Sequence, residues 1–174
     1  MEHPVSWKDI SPASMQWFLE RFTLHDSGLQ RVTVDGWDSR TLVQVNFDLH
    51  WNPSIPRGYA TLWISFDRPY RVTHTQGAWS QPTLEGAESA VLDEEQREAL
   101  RAGGSFDPES YQHSGRDDGF LYPPDDDTLT RTLFQLMNWG KLELLHASQV
   151  RFAATDMRDT IVDLTTLTLK PRSG

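Results

Sequence analysis

The chain has 174 residues, no cysteine and a formal net charge of −9. Its length fits one domain, 1–174, with a sizeable core, and its acidity argues against a nucleic acid or an anionic membrane as partner, because both attract basic surfaces. The missing cysteines favour a reducing cytoplasm, and the amino terminus lacks the basic head and apolar run of a signal peptide.

The first predicted element is a helix. Ser11 followed by Pro12 is typical of a helix start. Four apolar residues then recur at helical spacing: Met15, Phe18, Leu19 and Phe22. We expect a helix over residues 12–22 that ends before a turn, in which Gly28 supplies a permissive backbone angle.

Strands follow the helix. The clearest one, over residues 41–51, has apolar residues at two-residue spacing: Val43, Val45, Phe47, Leu49 and Trp51. Further strands are predicted over residues 30–35, 59–66 and 70–75. The short links between these strands indicate an antiparallel meander.

The middle of the chain changes character. Asp93 and Gln96 have the spacing of a capping box, so a short helix is predicted over 93–103, with Gly103 as its stop. Residues 104–127 form a long acidic segment rich in Gly, Pro and Ser, and a loop of that length is usually functional or disordered.

The carboxy-terminal third is less regular. Residues 128–139 contain leucines that suit a helix and threonines that suit a strand, and the three preceding aspartates favour a helix. Strands are predicted over 141–145, 149–153 and 160–169. The fold class is therefore α+β: an antiparallel, meander-rich sheet of about six to eight strands with the first helix packed on one face.

The turn after the first helix reads Leu24-His25-Asp26-Ser27. It resembles a turn between a helix and an antiparallel sheet in small bacterial proteins, some of which are grouped with the immunity proteins of toxin–antitoxin and contact-inhibition systems. The resemblance extends over residues 17–66. It implies a cytoplasmic accessory protein without catalysis.

The same three polar residues, His25, Asp26 and Ser27, also invite a catalytic interpretation. In a triad the base contacts the nucleophile while the acid orients the other ring nitrogen, and consecutive residues rarely converge in that way. We therefore favour a structural role, in which His25 donates to a backbone carbonyl and Asp26 and Ser27 bond backbone amides. No catalytic residue is assigned.

Asp48 and His50 project from the same face of their strand and form a usable pair of metal ligands, which His74 joins only if the strand order allows it. None of the six histidines has a recognised zinc spacing, so we expect a solvated face, with no metal and no cofactor. The same side of the sheet also offers a candidate binding patch, made of Asp48, His50, Tyr59 and Trp63. We favour a covered Trp63 over an exposed one.

The acidic segment offers apolar side chains between two aspartate clusters, a common pattern in protein-binding surfaces. The candidate partner-binding residues are Asp117, Asp118, Phe120, Leu121, Tyr122, Asp125, Asp126 and Asp127. The leading hypothesis is a non-enzymatic protein that binds a basic partner, specifically an immunity-type inhibitor of a toxin. The alternatives are a small-ligand-binding protein or enzyme with a polar pocket at Asp48 and His50, and a structural homo-oligomer.

Overall fold

The computed structural model describes residues 8–9, 14–35, 40–48, 59–67, 69–75, 82–101, 129–146, 150–156, 161–162 and 164. The acidic segment 104–127 lies outside these residues. The elements in chain order are β1 (Lys8–Asp9), α1 (Ser14–Arg21), β2 (Gly28–Asp35), β3 (Arg40–Asn46), β4 (Tyr59–Asp67), β5 (Arg71–Thr75), β6 (Leu84–Val91), α2 (Glu94–Arg101), β7 (Thr130–Leu136), a 3-10 turn (Met137–Trp139), β8 (Lys141–His146), β9 (Val150–Asp156) and β10 (Ile161–Val162).

The strands form two antiparallel sheets, which shows the α+β class but divides the single sheet expected from the sequence. In sheet A the order is β1-β9-β4-β3-β2, with β10 also paired to β9. In sheet B the order is β5-β8-β7-β6. The expected meander is present in β2, β3 and β4, whereas β5 pairs with β8 and so belongs to the other sheet.

The alternation predicted for the long strand is present in β3. Val43 and Val45 are fully buried, and Phe47, just beyond the strand, is 5% exposed, whereas Asn46 is exposed. Antiparallel pairing sets Val43 opposite Ile64 of β4, so both strands turn the same face towards the core. Residues 49–51 lie outside the described part of the chain.

One hydrophobic cluster contains residues of both sheets and of α1. The Phe18 ring of α1 stacks on Phe152 of sheet A, with 5.0 Å between centroids, and lies 5.9 Å from the Phe47 ring. Phe66 of sheet A meets Phe134 of sheet B edge to face at 6.1 Å. The predicted helix therefore packs on the apolar face of its sheet, and aromatic contacts join the two sheets.

The helix expected over residues 128–139 is wrong, because most of this segment is the strand β7. Its buried side chains alternate with half-buried or exposed ones, and the buried set is Thr130, Thr132, Phe134 and Leu136. This period of two matches a central strand between β6 and β8, in which β-branched threonines pack well. Tertiary pairing overrides the helical spacing of the leucines.

The predicted capping box at the start of α2 is confirmed. The Gln96 amide donates to Asp93 Oδ1 at 2.8 Å, and the Asp93 amide donates to Gln96 Oε1 at 3.0 Å. Leu100 near the end of this helix packs with Leu92 and Leu145 in a second, smaller cluster. The reciprocal bonds satisfy two amide donors at the helix terminus.

No helix in the described residues combines the length and the apolar character needed to cross a membrane.

Candidate functional site

The turn between α1 and β2 depends on Asp26 for its backbone conformation. Asp26 has a φ of 61°, in the left-handed region that short polar residues tolerate. The expectation that Gly28 supplies this angle is wrong: Gly28 lies in β2, and a Cβ added there would make only an ordinary 3.9 Å contact with Asn46. The residue with the left-handed conformation therefore lies two positions before the glycine.

Backbone hydrogen bonds fix this turn to the beginning of β6. The Asp26 amide donates to the Leu84 carbonyl at 2.8 Å, and the Leu84 amide donates to the Ser27 carbonyl, also at 2.8 Å. Two residues further along the chain, the Leu29 amide donates to the Pro82 carbonyl at 2.7 Å. Since β2 belongs to sheet A and β6 to sheet B, the turn is a hydrogen-bonded link between the sheets.

The side chains of the turn have unequal surroundings. Ser27 is fully buried, and its Oγ accepts a hydrogen bond of 3.0 Å from the Asp48 amide, 21 residues away. His25 Nδ1 lies 3.2 Å from Asp26 Oδ2, and these two side chains are 43% and 36% exposed. A buried hydroxyl that accepts a backbone bond fits the structural role of Ser27 and does not provide an accessible nucleophile.

The hairpin tip between β7 and β8 is the most unusual backbone in the described residues. Asn138 has φ 62° and ψ 39°, and Trp139 has φ 68°, so two consecutive residues that are not glycine adopt the left-handed region. The Leu136 amide closes the tip by donating to the Gly140 carbonyl at 2.8 Å. For a bulky side chain this conformation costs about 1–2 kcal/mol, and such strain concentrates at functional sites.

Trp139 at this tip is 93% exposed. The other large hydrophobic side chains that are exposed among the described residues are two valines, Val34 and Val91. Tryptophan is enriched at binding hot spots, because its ring buries a large area on contact and loses little rotamer freedom. The sequence did not single out Trp139, since the predicted helix over 128–139 placed it at a helix end.

The tip and the turn lie at the same end of the molecule. The Met137 amide donates to the Thr83 carbonyl at 2.8 Å, and the next residue, Leu84, accepts from the Asp26 amide. The beginning of β6 therefore lies between the two features. We call the exposed Trp139 together with the three carboxylates of this end, Asp26, Asp48 and Glu85, the Trp139 surface.

The three carboxylates of the Trp139 surface differ in exposure. Glu85 is exposed, Asp26 is 36% exposed and Asp48 is half-buried next to the turn. Lys141 is on β8, which is the neighbour of β7 on the side away from β6. An exposed aromatic ring at an end of the molecule that also carries carboxylates is suited to a partner with basic side chains around an apolar contact.

In the patch proposed from the sequence on the polar side of sheet A, the tryptophan is covered. Trp63 is 7% exposed and packs with Ala153 and the half-buried Leu42, which is the covered alternative. His74 lies on β5 in sheet B, so it does not join Asp48 on a neighbouring strand. Within the described ranges no three His, Asp or Glu side chains are grouped in a way that could hold a metal ion.

Most of the site residues predicted from the sequence lie outside the described part of the chain. His50 and all eight residues proposed from the acidic segment lie outside the described ranges. Tyr59 is the first residue of β4. The partner-binding role of the acidic segment therefore stays a prediction.

The sequence reasoning missed a buried ion pair in sheet B. Glu143 is 1% exposed, and its Oε2 accepts hydrogen bonds from Nε and Nη2 of Arg131, the first of them 2.8 Å long. Arg131 is on β7 and Glu143 is on β8, so these two hydrogen bonds hold the adjacent strands in register. Tyr70 lies just before β5, and Arg71 is the first residue of that strand. Burial raises the pKa of the Tyr70 phenol, and the charge of Arg71 offsets part of this rise.

A second buried polar group lies between the sheets. His146 is fully buried, and its Nε2 lies 2.7 Å from Thr132 Oγ1, which in turn lies 2.9 Å from Ser89 Oγ. The His146 ring also meets Phe66 edge to face at 4.7 Å. These bonds join three strands of sheet B and satisfy polar groups that would otherwise be costly to bury.

Comparison of the chain with protein-family models, with curated proteins and with solved structures gave no match.

Proposed function

We propose that this protein is a non-enzymatic binding protein whose Trp139 surface docks onto a basic protein partner. The observation that carries the proposal is Trp139 itself, which is 93% exposed at a φ of 68°. More specifically, we propose an immunity-type inhibitor that works in the cytoplasm against a basic bacterial toxin. The resemblance of the Leu24–Ser27 turn to such proteins supports this class.

The energetics of Trp139 support a docking role. In the isolated chain the indole ring gains little from burial while its backbone carries the cost of the left-handed conformation. A partner that covers the ring would bury an aromatic surface of about 150–250 Å². Interfaces are commonly dominated by a few such anchors, so one residue suffices for a large share of the binding energy.

The charge of the chain supports a basic partner. The formal net charge is −9, and backbone hydrogen bonds place Asp26, and Leu84 next to Glu85, at the same end of the molecule as the tip. Carboxylates at the rim of an interface act mainly on the rate of association, whereas a buried anchor acts on the rate of dissociation. The two groups of residues therefore predict separable effects on binding kinetics.

The acidic segment extends the same proposal. Its two aspartate clusters, residues 117–118 and 125–127, flank Phe120, Leu121 and Tyr122. We propose that this segment adds long-range attraction for the same basic partner. Deletion of residues 106–124 would then slow association and leave the contribution of Trp139 to dissociation unchanged.

The test begins with the product of the gene next to this one, or with a protein captured from the native host, and measures binding by surface plasmon resonance. Trp139→Ala is expected to speed dissociation at least about tenfold, in keeping with hot-spot losses of 2 kcal/mol or more. Asp26→Asn combined with Glu85→Gln is expected to slow association and to flatten its dependence on salt.

Val91→Ala is the matched control, because Val91 is also an exposed hydrophobic residue, 55% exposed, on a different strand end. It should leave both rates unchanged. If Trp139→Ala binds the captured partner with unaltered rates, the Trp139 surface is not the docking site and the proposal is overturned.

A further inference from the structure

The segment from Pro82 to Leu84 is bonded to both sheets, and we call it the strap. On the side of sheet A, the Leu84 amide and the Leu84 carbonyl both bond to the turn after α1, each at 2.8 Å, and the Pro82 carbonyl accepts from the Leu29 amide. On the side of sheet B, the Thr83 carbonyl accepts from the Met137 amide at the hairpin tip, also at 2.8 Å. The strap therefore lies between the two turns that contain left-handed residues.

The directions of these bonds follow from the extended backbone of the strap. Successive residues of a strand present their amide and carbonyl groups to opposite sides, so Pro82 and Leu84 bond to one neighbour and Thr83 bonds to the other. The bridge between Thr83 and Gly28 belongs to the side of sheet A, and the pairing of Leu84 with Leu136 belongs to the side of sheet B. Movement of the strap away from one turn therefore also disturbs its bonds to the other turn.

A β-bulge separates the strap from the rest of β6. The register between β6 and β7 shifts between Leu84 and Gly86, directly after the strap ends. A bulge interrupts the ladder of hydrogen bonds and bends its strand. Because the ladder is interrupted at this point, movement of the strap need not continue along β6. The strap is thus a short segment of its own, with a bonded neighbour on each side.

The tip depends on the strap for part of its constraint. Asn138 and Trp139 adopt the left-handed region, which costs free energy for a residue with a Cβ, and such a conformation persists only where surrounding bonds hold it. One bond that holds it lies within the hairpin and starts at the Leu136 amide, whereas the bond from the Met137 amide ends on the strap. The conformation of the tip therefore depends on where the strap lies.

We propose that the strap couples the turn after α1 to the hairpin tip, so that the two turns open and close as one unit. Coupling of this kind is reciprocal, because both turns bias the same two-state element. A molecule that covers Trp139 and orders the tip then also reduces opening of the turn after α1, and a change in that turn alters the tip. The inference goes beyond the docking proposal, which requires no link between the two turns.

Native-state hydrogen exchange of the full chain, followed by NMR, measures the coupling without any partner. Four amides take part in the bonds of the strap: Asp26, Leu29, Leu84 and Met137. Under conditions in which exchange reports the opening equilibrium, these four amides should open with one shared free energy. That free energy should be lower than the free energy of global unfolding, which urea denaturation gives for the same chain.

Asn138→Ala changes the tip alone, because asparagine tolerates the left-handed region better than alanine does. Exchange should become at least about threefold faster at the Met137 amide, and faster by the same factor at the Asp26 and Leu84 amides across the strap. Gln96→Ala is the matched control, since it also replaces a polar amide side chain by alanine but removes a capping bond of α2. It should leave the exchange of the strap amides unchanged.

Ser27→Ala is the reverse experiment, because it changes the turn after α1 and should speed exchange at the Met137 amide by the same factor as at the Asp26 amide. If either variant leaves exchange on the far side of the strap unchanged, the proposal is overturned. It is also overturned if the four amides of the native chain open with different free energies, or only by global unfolding. Since the chain is measured alone, failure of this coupling is distinguishable from failure of partner docking.

Discussion

Two turns of this molecule share the left-handed backbone conformation but differ in what they do with it. At the turn after α1, Asp26 adopts a φ of 61°, and at the hairpin tip Asn138 and Trp139 adopt 62° and 68°. The first turn is bonded to β6 through the Asp26 amide, and it ends in a fully buried serine. The second presents an indole that is 93% exposed.

The difference between the two turns separates an architectural role from a binding role. Aspartate tolerates the left-handed region, so the first turn gains hydrogen bonds at little conformational cost. Tryptophan does not suit that region, and its ring gains no comparable burial within the chain. We therefore expect substitutions at the first turn to lower stability, and substitution of Trp139 to affect binding while raising stability.

The largest expected effect is at Leu24, the buried residue that opens the first turn and is 1% exposed. Leu24→Ala removes buried methyl groups and leaves a cavity, which should lower the free energy of unfolding by about 2–5 kcal/mol. Urea denaturation monitored by tryptophan fluorescence measures this. Val34→Ala, at a residue that is 62% exposed, should change stability by less than about 0.5 kcal/mol. If both variants lowered the free energy of unfolding equally, the buried turn would contribute no more to stability than the exposed surface.

Ser27→Ala should have the next largest effect. The substitution removes the acceptor of the Asp48 amide, and a lost buried partner costs about 1–3 kcal/mol. Denaturation again gives the change, and Ser27→Thr tests whether the hydroxyl alone is sufficient in the available space. A Ser27→Ala variant with native stability that loses all biological function would favour the catalytic interpretation of this turn.

At the tip, Trp139→Gly should stabilise the chain. Glycine adopts a φ of 68° without the steric penalty of a side chain, so the free energy of unfolding should rise by about 1–2 kcal/mol and Tm by roughly 2–8 °C. Differential scanning calorimetry measures the shift, and the same variant should lose binding to the captured partner. A fall in Tm would mean that the indole contributes to the fold, and the contrast between the two turns would fail.

The sequence predicted elements whose signals are local. The capping box of Asp93 and Gln96 forms as expected because both residues lie within one turn of helix. The alternation around Val43 and Val45 reports burial of one face directly. The sequence did not predict two separate sheets, because no local pattern around β5 indicates that its partner is β8, about 70 residues later.

The candidate site was the part least accessible from the sequence. The strand β6, on which the site depends, was missed because its polar and small residues, including Glu85 and Gly86, lack an alternating pattern at an open edge. Trp139 acquires its conformation from the closure of a hairpin whose first strand resembled a helix. The turn at His25 was predicted from the sequence. That it lies at the same end as Trp139 was not, because this depends on hydrogen bonds between segments that are distant in the chain.

The smallest expected effect is at His25, and it tests how the first turn is held. The sequence suggests that His25 braces the junction, but its side chain is 43% exposed and its Nδ1 lies 3.2 Å from an Asp26 carboxylate that is itself 36% exposed. Polar contacts between exposed side chains contribute little, about 0–1 kcal/mol even for a charged pair, so His25→Ala should lower the free energy of unfolding by less than about 1 kcal/mol. Denaturation of His25→Ala and Ser27→Ala side by side decides the matter. If His25→Ala proves the more damaging of the two, the imidazole is what holds the turn, and the buried serine is secondary.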